Sequence, residues 1–331
     1  MSKVTNRLGR PAATAVAAVA LSLTASGCVT VHGELEIVPT STKAQAARAL
    51  DTFVSAYLKA EKTYDRSADA PYVTGPLAAI DTAKLKAAHK LNPDGNKNPR
   101  ALKLTDTKYT IPKKAGWPRW FVADSDNNRF PDYRWVMVFT RDDVSEPWAV
   151  SYLTLFRDGT VPKFKTDADG YGEAVSDDSA GLAVKPSALS KKYADYLDPK
   201  TGGGDGFAEG AFTTQWLANR KKNLSRPGLA TQYIDEPLTS GDYAPVGLRT
   251  TDGGALVFFT TRRYEKQTAS PGSDLPTINA SVKALMSGDA KQAATYGYVS
   301  NQAAIVPTKG SAGSGVDVLA RVEGITSAEG S

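Results

Sequence analysis

Cysteine, histidine and methionine are all scarce in this sequence, with one cysteine (Cys28), two histidines (His32 and His89) and three methionines in 331 residues. A lone cysteine leaves no disulfide within one molecule, so the fold has to be held by packing. With two histidines and no Cys-x-x-Cys or His-Glu-x-x-His pattern, the sequence offers no zinc site of three or four ligands at matching spacing. The nucleophile patterns Gly-x-Ser-x-Gly and Ser-x-x-Lys are also missing. No apolar run reaches the roughly 20 residues that a spanning helix requires. Concentrated basic charge is missing as well. Three of the cations behind the formal charge of +5 are Lys3, Arg7 and Arg10, in a stretch without acids, so residues 28–331 carry only +2. That excludes the basic face of a nucleic-acid binder. The clusters Arg220-Lys221-Lys222 and Arg262-Arg263 read as solvated surface, where charge is usually placed.

What is present begins at the front end. The three early cations precede an apolar run from Pro11 to Leu23, followed by Thr24-Ala25-Ser26-Gly27-Cys28. A basic start, a short apolar run and small residues make a secretory signal. The Ala-Ser-Gly-Cys ending resembles the lipobox of bacterial lipoprotein signals, with Ala25 where that family prefers leucine. The resemblance implies that residues 1–27 are a signal peptide and that Cys28 becomes the lipidated N-terminus on the outer face of the cell membrane. Residues 28–42 are then a short tether, in which Val29–Pro39 alternates like a strand. About 14 residues separate the anchor from the first helix and reach at most about 50 Å when fully extended.

The remaining chain has the periodicities of an α+β protein with two domains, residues 43–166 and 186–331, joined by a linker at 167–185 rich in glycine, serine and acids. Helical spacing runs from Lys43 through Leu50, Phe53, Tyr57 and Glu61, and again from Gly75 to Lys90. Strands are expected at Lys108–Pro112, Trp117–Ala123, Tyr133–Arg141 and Trp148–Phe156, joined by links short enough for an antiparallel meander. In the second domain, helices are expected at Ser187–Leu197, Phe207–Asn223 and Ile278–Met286. Strands are expected near Thr231–Ile234, Ala244–Arg249, Ala255–Tyr264, Thr295–Ile305 and Val316–Ile325. Helices followed by a curved antiparallel sheet resemble the NTF2-like or cystatin-like folds over residues 43–160. Trp135–Thr140 echoes Ala255–Thr260, as a diverged duplication would. The Ala/Gly/Thr bias, the lipobox and the segment Thr110–Phe121 also resemble uncharacterised secreted lipoproteins of high-GC actinobacteria, which implies a location and no activity.

No motif assigns a catalytic residue, a cofactor or a metal. Asp124-x-Asp126-x-Asn128 matches the first three positions of a calcium loop, but Arg129 stands where glycine is needed. It and Asp167-Ala-Asp169-Gly170 read as turns. Gly310–Gly315 lacks the lysine and helix of a phosphate loop and reads as a hairpin. The unusual feature is aromatic density. Alternation puts Tyr133, Trp135, Met137 and Phe139 on one face of a strand and Val136 and Val138 on the other; on the next strand it groups Trp148, Val150, Tyr152 and Phe156. Both faces are apolar, so the second domain, a partner or a ligand has to cover the face the helices leave. Val316–Ile325 alternates cleanly and should have one wet face. Trp117, Arg119 and Trp120 at the strand entrance are the candidate ligand contacts, suited to stacking or cation–π contact. The leading function is a non-catalytic envelope lipoprotein binding a small ligand or an envelope protein. The alternatives are an enzyme with scattered Asp, Glu, Tyr and Arg, and an assembly factor.

Cys28→Ala is expected to move the protein from the detergent phase to the aqueous phase of a temperature-induced phase separation, because each buried CH₂ of an acyl chain contributes about 0.8 kcal/mol. Partition of the wild type into the aqueous phase would rule lipidation out.

Overall fold

The computed structural model describes residues 36–311 and 315–331. The expected signal, Cys28, His32 and most of the tether lie outside the described residues. The tether ends in a two-residue strand, β1 (Val38–Pro39), before helix α1 (Lys43–Thr63). Thr42 caps α1 in a reciprocal box with Gln45, and the helix buries Ala46, Leu50, Phe53 and Tyr57 on one stripe. Helix α2 (Gly75–Leu91) has Pro76 in its first turn and stops at Asn92-Pro93. Strands β2 (Leu104–Thr110), β3 (Pro112–Lys114), β4 (Arg119–Asn127), β5 (Tyr133–Arg141), β6 (Ala149–Arg157) and β7 (Gly172–Val175) follow. Next come α3 (Pro186–Tyr196), α4 (Thr214–Asn223), β8 (Ser225–Arg226), β9 (Leu229–Leu238), β10 (Val246–Arg249) and β11 (Ala255–Ala269). The chain finishes with α5 (Ala280–Leu285), β12 (Met286–Ser287), β13 (Ala293–Val306) and β14 (Asp317–Gly330).

The architecture is α+β, and neither sheet closes into a barrel. A small antiparallel sheet has the order β2-β4-β5-β6, and a ten-stranded sheet runs β1-β3-β7-β10-β11-β13-β14-β12 with β9 and β8 off that path. The long strand β11 changes partner along one edge, pairing with β10 over Ala255–Phe258 and with β9 from Thr260 onward. The expected linker is not only a connection: within it, β7 pairs with both β3 and β10. The echoing segments Trp135–Thr140 and Ala255–Thr260 lie in sheets of different size and order, β5 and β11.

Layering follows from the apolar faces. Phe121, Trp135, Met137 and Phe139 lie under α1, where Phe53 meets Phe139 edge-on at 6.0 Å and Phe121 stacks on Phe139 at 4.8 Å. The opposite face of the small sheet, with Trp120, Val122, Val136, Val138 and Tyr152, packs directly on Leu248, Leu256, Phe258 and Ala303 of the large sheet. The far face of the large sheet is covered by α3 and α4 through Leu189, Tyr193 and Leu217. Helix α2 runs along the seam, touching β6, β13 and β14. It lies so close to β14 that a Cβ on Gly324 would sit 2.4 Å from an Ile80 methyl.

Two β-bulges overturn two face assignments. Between β5 and β6 the register steps from Phe139↔Val150 to Val138↔Tyr152, leaving Ser151 unpaired. Trp148 and Val150 therefore face the helices, while Tyr152 and Phe156 face the large sheet. Between β13 and β14 it steps from Ala304↔Val318 to Ala303↔Ala320, leaving out Leu319. Val316 and Val318 then face α3 and α4, whereas Ala320 faces the small sheet. One extra residue in a strand reverses the parity of everything beyond it. The expected wet face of β14 is covered. Arg321 lies 4.0 Å from the Trp216 ring and pairs with Glu323, which also accepts from Arg263 at 2.7 Å. Arg220 and Arg263, read as solvated, are 3% and 5% exposed and each holds an acid, Asp235 and Glu323. A further correction concerns Asp124 and Asp126, which belong to β4 and both bind Arg134 at 2.5 Å, rather than forming a turn. The second fragment is a turn, with Asp167 Oδ1 accepting from the Asp169 and Tyr171 amides.

Phe258 is fully buried in the inter-sheet core, 5.9 Å from Tyr152. Phe258→Ala is expected to cost about 3–5 kcal/mol, measured by urea unfolding. Excising residues 186–331 should yield a fragment that aggregates and binds an exposed-apolar dye, because the Trp120–Val138 face loses its cover.

Candidate functional site

The structure separates the three aromatic-corner candidates. Trp120 is 4% exposed inside the inter-sheet core, and its carbonyl accepts a 2.7 Å hydrogen bond from the Thr40 hydroxyl. Trp117 and Arg119 stay together at the partly buried strand entrance, with the guanidinium 4.9 Å from the indole centroid. His89 is exposed in the last turn of α2.

A richer polar constellation lies at the far end of the small sheet. A cleft of about 480 Å³ opens between α1, α2 and the β4–β5 turn, lined by Tyr57, Glu61, Lys84, Arg129 and Trp135. Tyr57 and Glu61 are one turn apart on α1, and the packing of α2 brings Lys84 over them. Lys84 Nζ donates to Glu61 at 2.7 Å and to the Tyr57 hydroxyl at 3.3 Å. Arg129 Nη2 donates to the other Glu61 oxygen at 2.7 Å and to the Arg100 carbonyl at 2.6 Å. Burial works against the charge on Glu61, yet Arg129 and Lys84 hold its pKa below the ordinary value. Burial opposes the charge on Lys84 too, but Tyr57 and Glu61 keep its pKa raised. Tyr57 is pushed up to about 12, chiefly by burial, so its hydroxyl stays protonated. Trp135 stands edge-on to Tyr57 at 6.3 Å, and its buried Nε1 has no hydrogen-bond partner among the described residues.

Behind Lys84 is a pair of buried carboxyls. Asp81 on α2 is 3% exposed and lies 4.0 Å from Lys84 Nζ, and Asp69 is 1% exposed, with neither oxygen hydrogen-bonded among the described residues. Burial first, and then the neighbouring Asp81, push the Asp69 pKa up to about 8. The pair retains a proton at neutral pH, as two close carboxyls out of water must.

None of these residues forms a sequence motif. One signal was available: Glu61 continues the apolar stripe of α1, and an acid on a buried stripe needs a partner. Lys84, Asp81 and Arg129 become its neighbours only through tertiary packing.

A family model described as a domain of unknown function, DUF8094, matches residues 37–330. The chain belongs to the DUF8094 family. It is 55% identical to a Streptomyces coelicolor protein named as an uncharacterized lipoprotein, over 98% of this chain and 96% of that one. A Streptomyces avermitilis protein of the same name is 56% identical, with coverage of 98% and 96%. A second uncharacterized lipoprotein of Streptomyces coelicolor is 24% identical over 89% of this chain and 88% of its own length. The resemblance to secreted actinobacterial lipoproteins thus meets relatives of that name. No solved structure matches this DUF8094 chain. Among the described residues, no helix is long and apolar enough to cross a membrane.

The carboxyl pair sets a pH dependence. The ordinary Asp69 value is 3.8 and the folded value is about 8, so the folded state holds a proton that the unfolded chain releases. Its contribution to stability is full below about pH 4 and is lost as the pH rises toward 8. Asp69→Asn cannot ionise. It should flatten the fall in melting temperature between pH 5 and pH 8, and a profile parallel to the wild type would show that Asp69 holds no such proton.

Proposed function

We propose that this chain is a lipoprotein anchored through Cys28 to the outer face of the cell membrane, and that its body binds a small ligand in the cleft between α1 and α2. Lipidation is supported by the basic, apolar and small-residue order of Met1–Gly27, by Cys28 being the sole cysteine, and by the lipoprotein names of the relatives. The observation that carries the binding reading is Trp135. Its ring lines the cleft, and its buried N–H lacks an acceptor among the described residues, whereas Glu61 beside it accepts from both Lys84 and Arg129. An acceptor on a ligand would satisfy this orphaned donor. The fitting guest has a flat apolar face for Trp135 and Tyr57 and a polar group that accepts from the indole. No cofactor or metal enters this reading.

An enzymatic reading would draw on the proton held by Asp69 and Asp81. Neither acid lines the cleft, which favours binding over proton transfer to a guest. For an assembly factor, a contiguous apolar surface is the expected feature. The exposed large apolar side chains among the described residues are dispersed over the tether (Ile37), two turns (Phe130, Val144), α2 (Leu91) and two strands (Tyr133, Ile234).

Native mass spectrometry of the intact protein, purified from its own membranes in mild detergent, is expected to show a retained small-molecule adduct. Trp135→Phe removes the donor and keeps most of the ring, so occupancy should fall by about tenfold. Wild-type protein free of any adduct, or equal occupancy in Trp135→Phe, would count against the cleft.

A further inference from the structure

Most buried arginines of this protein sit against acids, with Arg129 on Glu61, Arg134 on Asp124, Arg220 on Asp235 and Arg263 on Glu323. Arg119 and Arg141 break the pattern. They stand directly opposite each other on β4 and β5. Like charges in that relation repel. Both are partly buried, neither has an acid within 4.0 Å among the described residues, and the Nε of each is buried without a hydrogen-bond partner. Among the described residues the only hydrogen bond from either guanidinium is a long one, Arg141 to the Val144 carbonyl at 3.5 Å.

What holds them is aromatic. Arg119 and Arg141 lie 4.9 and 5.4 Å from the Trp117 ring, and Arg141 is also 4.8 Å from the Trp148 ring. Stacking fixes the guanidinium planes and leaves their edges free to donate. A third cation stands nearby: Lys114 spends two donors on the Ala115 and Trp117 carbonyls and has no acid within 4.0 Å among the described residues. Burial first, with Arg119 opposed by Asp177, lowers the Lys114 pKa, and burial followed by Arg119 lowers that of Arg141. The neighbouring acids do not neutralise the pair. Asp142, Asp143, Glu146 and Asp177 are exposed, and Asp143 is turned to the Ser145 amide and hydroxyl.

We propose that Arg119 and Arg141, stacked on Trp117 with Lys114 beside them, form a receptor for a phosphate-type oxyanion at the tether end of the protein. Two planar forks match a phosphoryl group, and each would gain the charge-assisted bonds it now lacks. Place supports the chemistry. The chain enters the fold with Val38 paired to Lys114, and Cys28 lies ten residues earlier, a reach of at most about 35 Å. A bilayer headgroup and a soluble phosphorylated molecule both present this anion.

The test uses the intact protein. In neutral detergent micelles it is titrated with glycerol 1-phosphate at low salt while tryptophan emission is followed. It is then reconstituted into vesicles of phosphatidylcholine alone or with phosphatidylglycerol, and the same emission is compared. A saturable change with the soluble phosphate assigns a free ligand, and a change confined to phosphatidylglycerol vesicles assigns a headgroup. Either supports the site if Arg119→Gln and Arg141→Gln weaken it by about tenfold or more and Trp117→Phe reduces the emission change. Wild-type protein that responds to neither probe overturns the proposal whatever the variants do. So does an equal response by folded Arg119→Gln and Arg141→Gln.

Discussion

A four-stranded sheet with aromatic and aliphatic side chains on both faces cannot be left half uncovered in water, and the rest of this molecule is arranged around that demand. One face takes α1. The other takes a second, larger sheet, with Tyr152 and Phe258 meeting at 5.9 Å between them. The larger sheet then has a far face of its own, which α3 and α4 cover. Each of the four layers exists to bury the one before it. Burial at about 25 cal/mol per Å² of apolar surface is what a chain with a single cysteine has available.

Much of this was legible in the sequence. Helical spacing placed α1 and α2 to within a residue or two, and β5 runs from Tyr133 to Arg141 as its alternation demands. The helix expected at Phe207–Asn223 begins only at Thr214, because Phe207 is drawn into a bridge with Val316. Face assignments failed at Ser151 and Leu319 for a shared reason. A bulge adds a residue without changing composition, and no local pattern announces it. The candidate cleft was illegible for another reason. Glu61, Lys84 and Arg129 are ordinary polar residues until three separate elements bring both cations to 2.7 Å from the Glu61 carboxylate.

Charge is handled in two ways. Arg134, Arg220 and Arg263 are taken out of water together with their counterions, so removing either partner alone would strand the other, at a typical cost of about 3–5 kcal/mol. Such pairs fix registry between strands, as Arg263 of β11 does with Glu323 of β14 across β13. Arg119 and Arg141 are instead held by indoles, which stabilise a cation without consuming its donors. The first arrangement is closed, while the second remains open to a partner.

The junction where the tether meets the body has a mechanical meaning. Only two residues of β1 pair with β3, backed by the Thr40 amide on the Pro112 carbonyl and the Thr40 hydroxyl on the Trp120 carbonyl. A pull on the residues before Glu36 falls first on these few bonds. The inter-sheet core is engaged only after them, so the clasp acts as a fuse that yields to tension and spares the fold behind it.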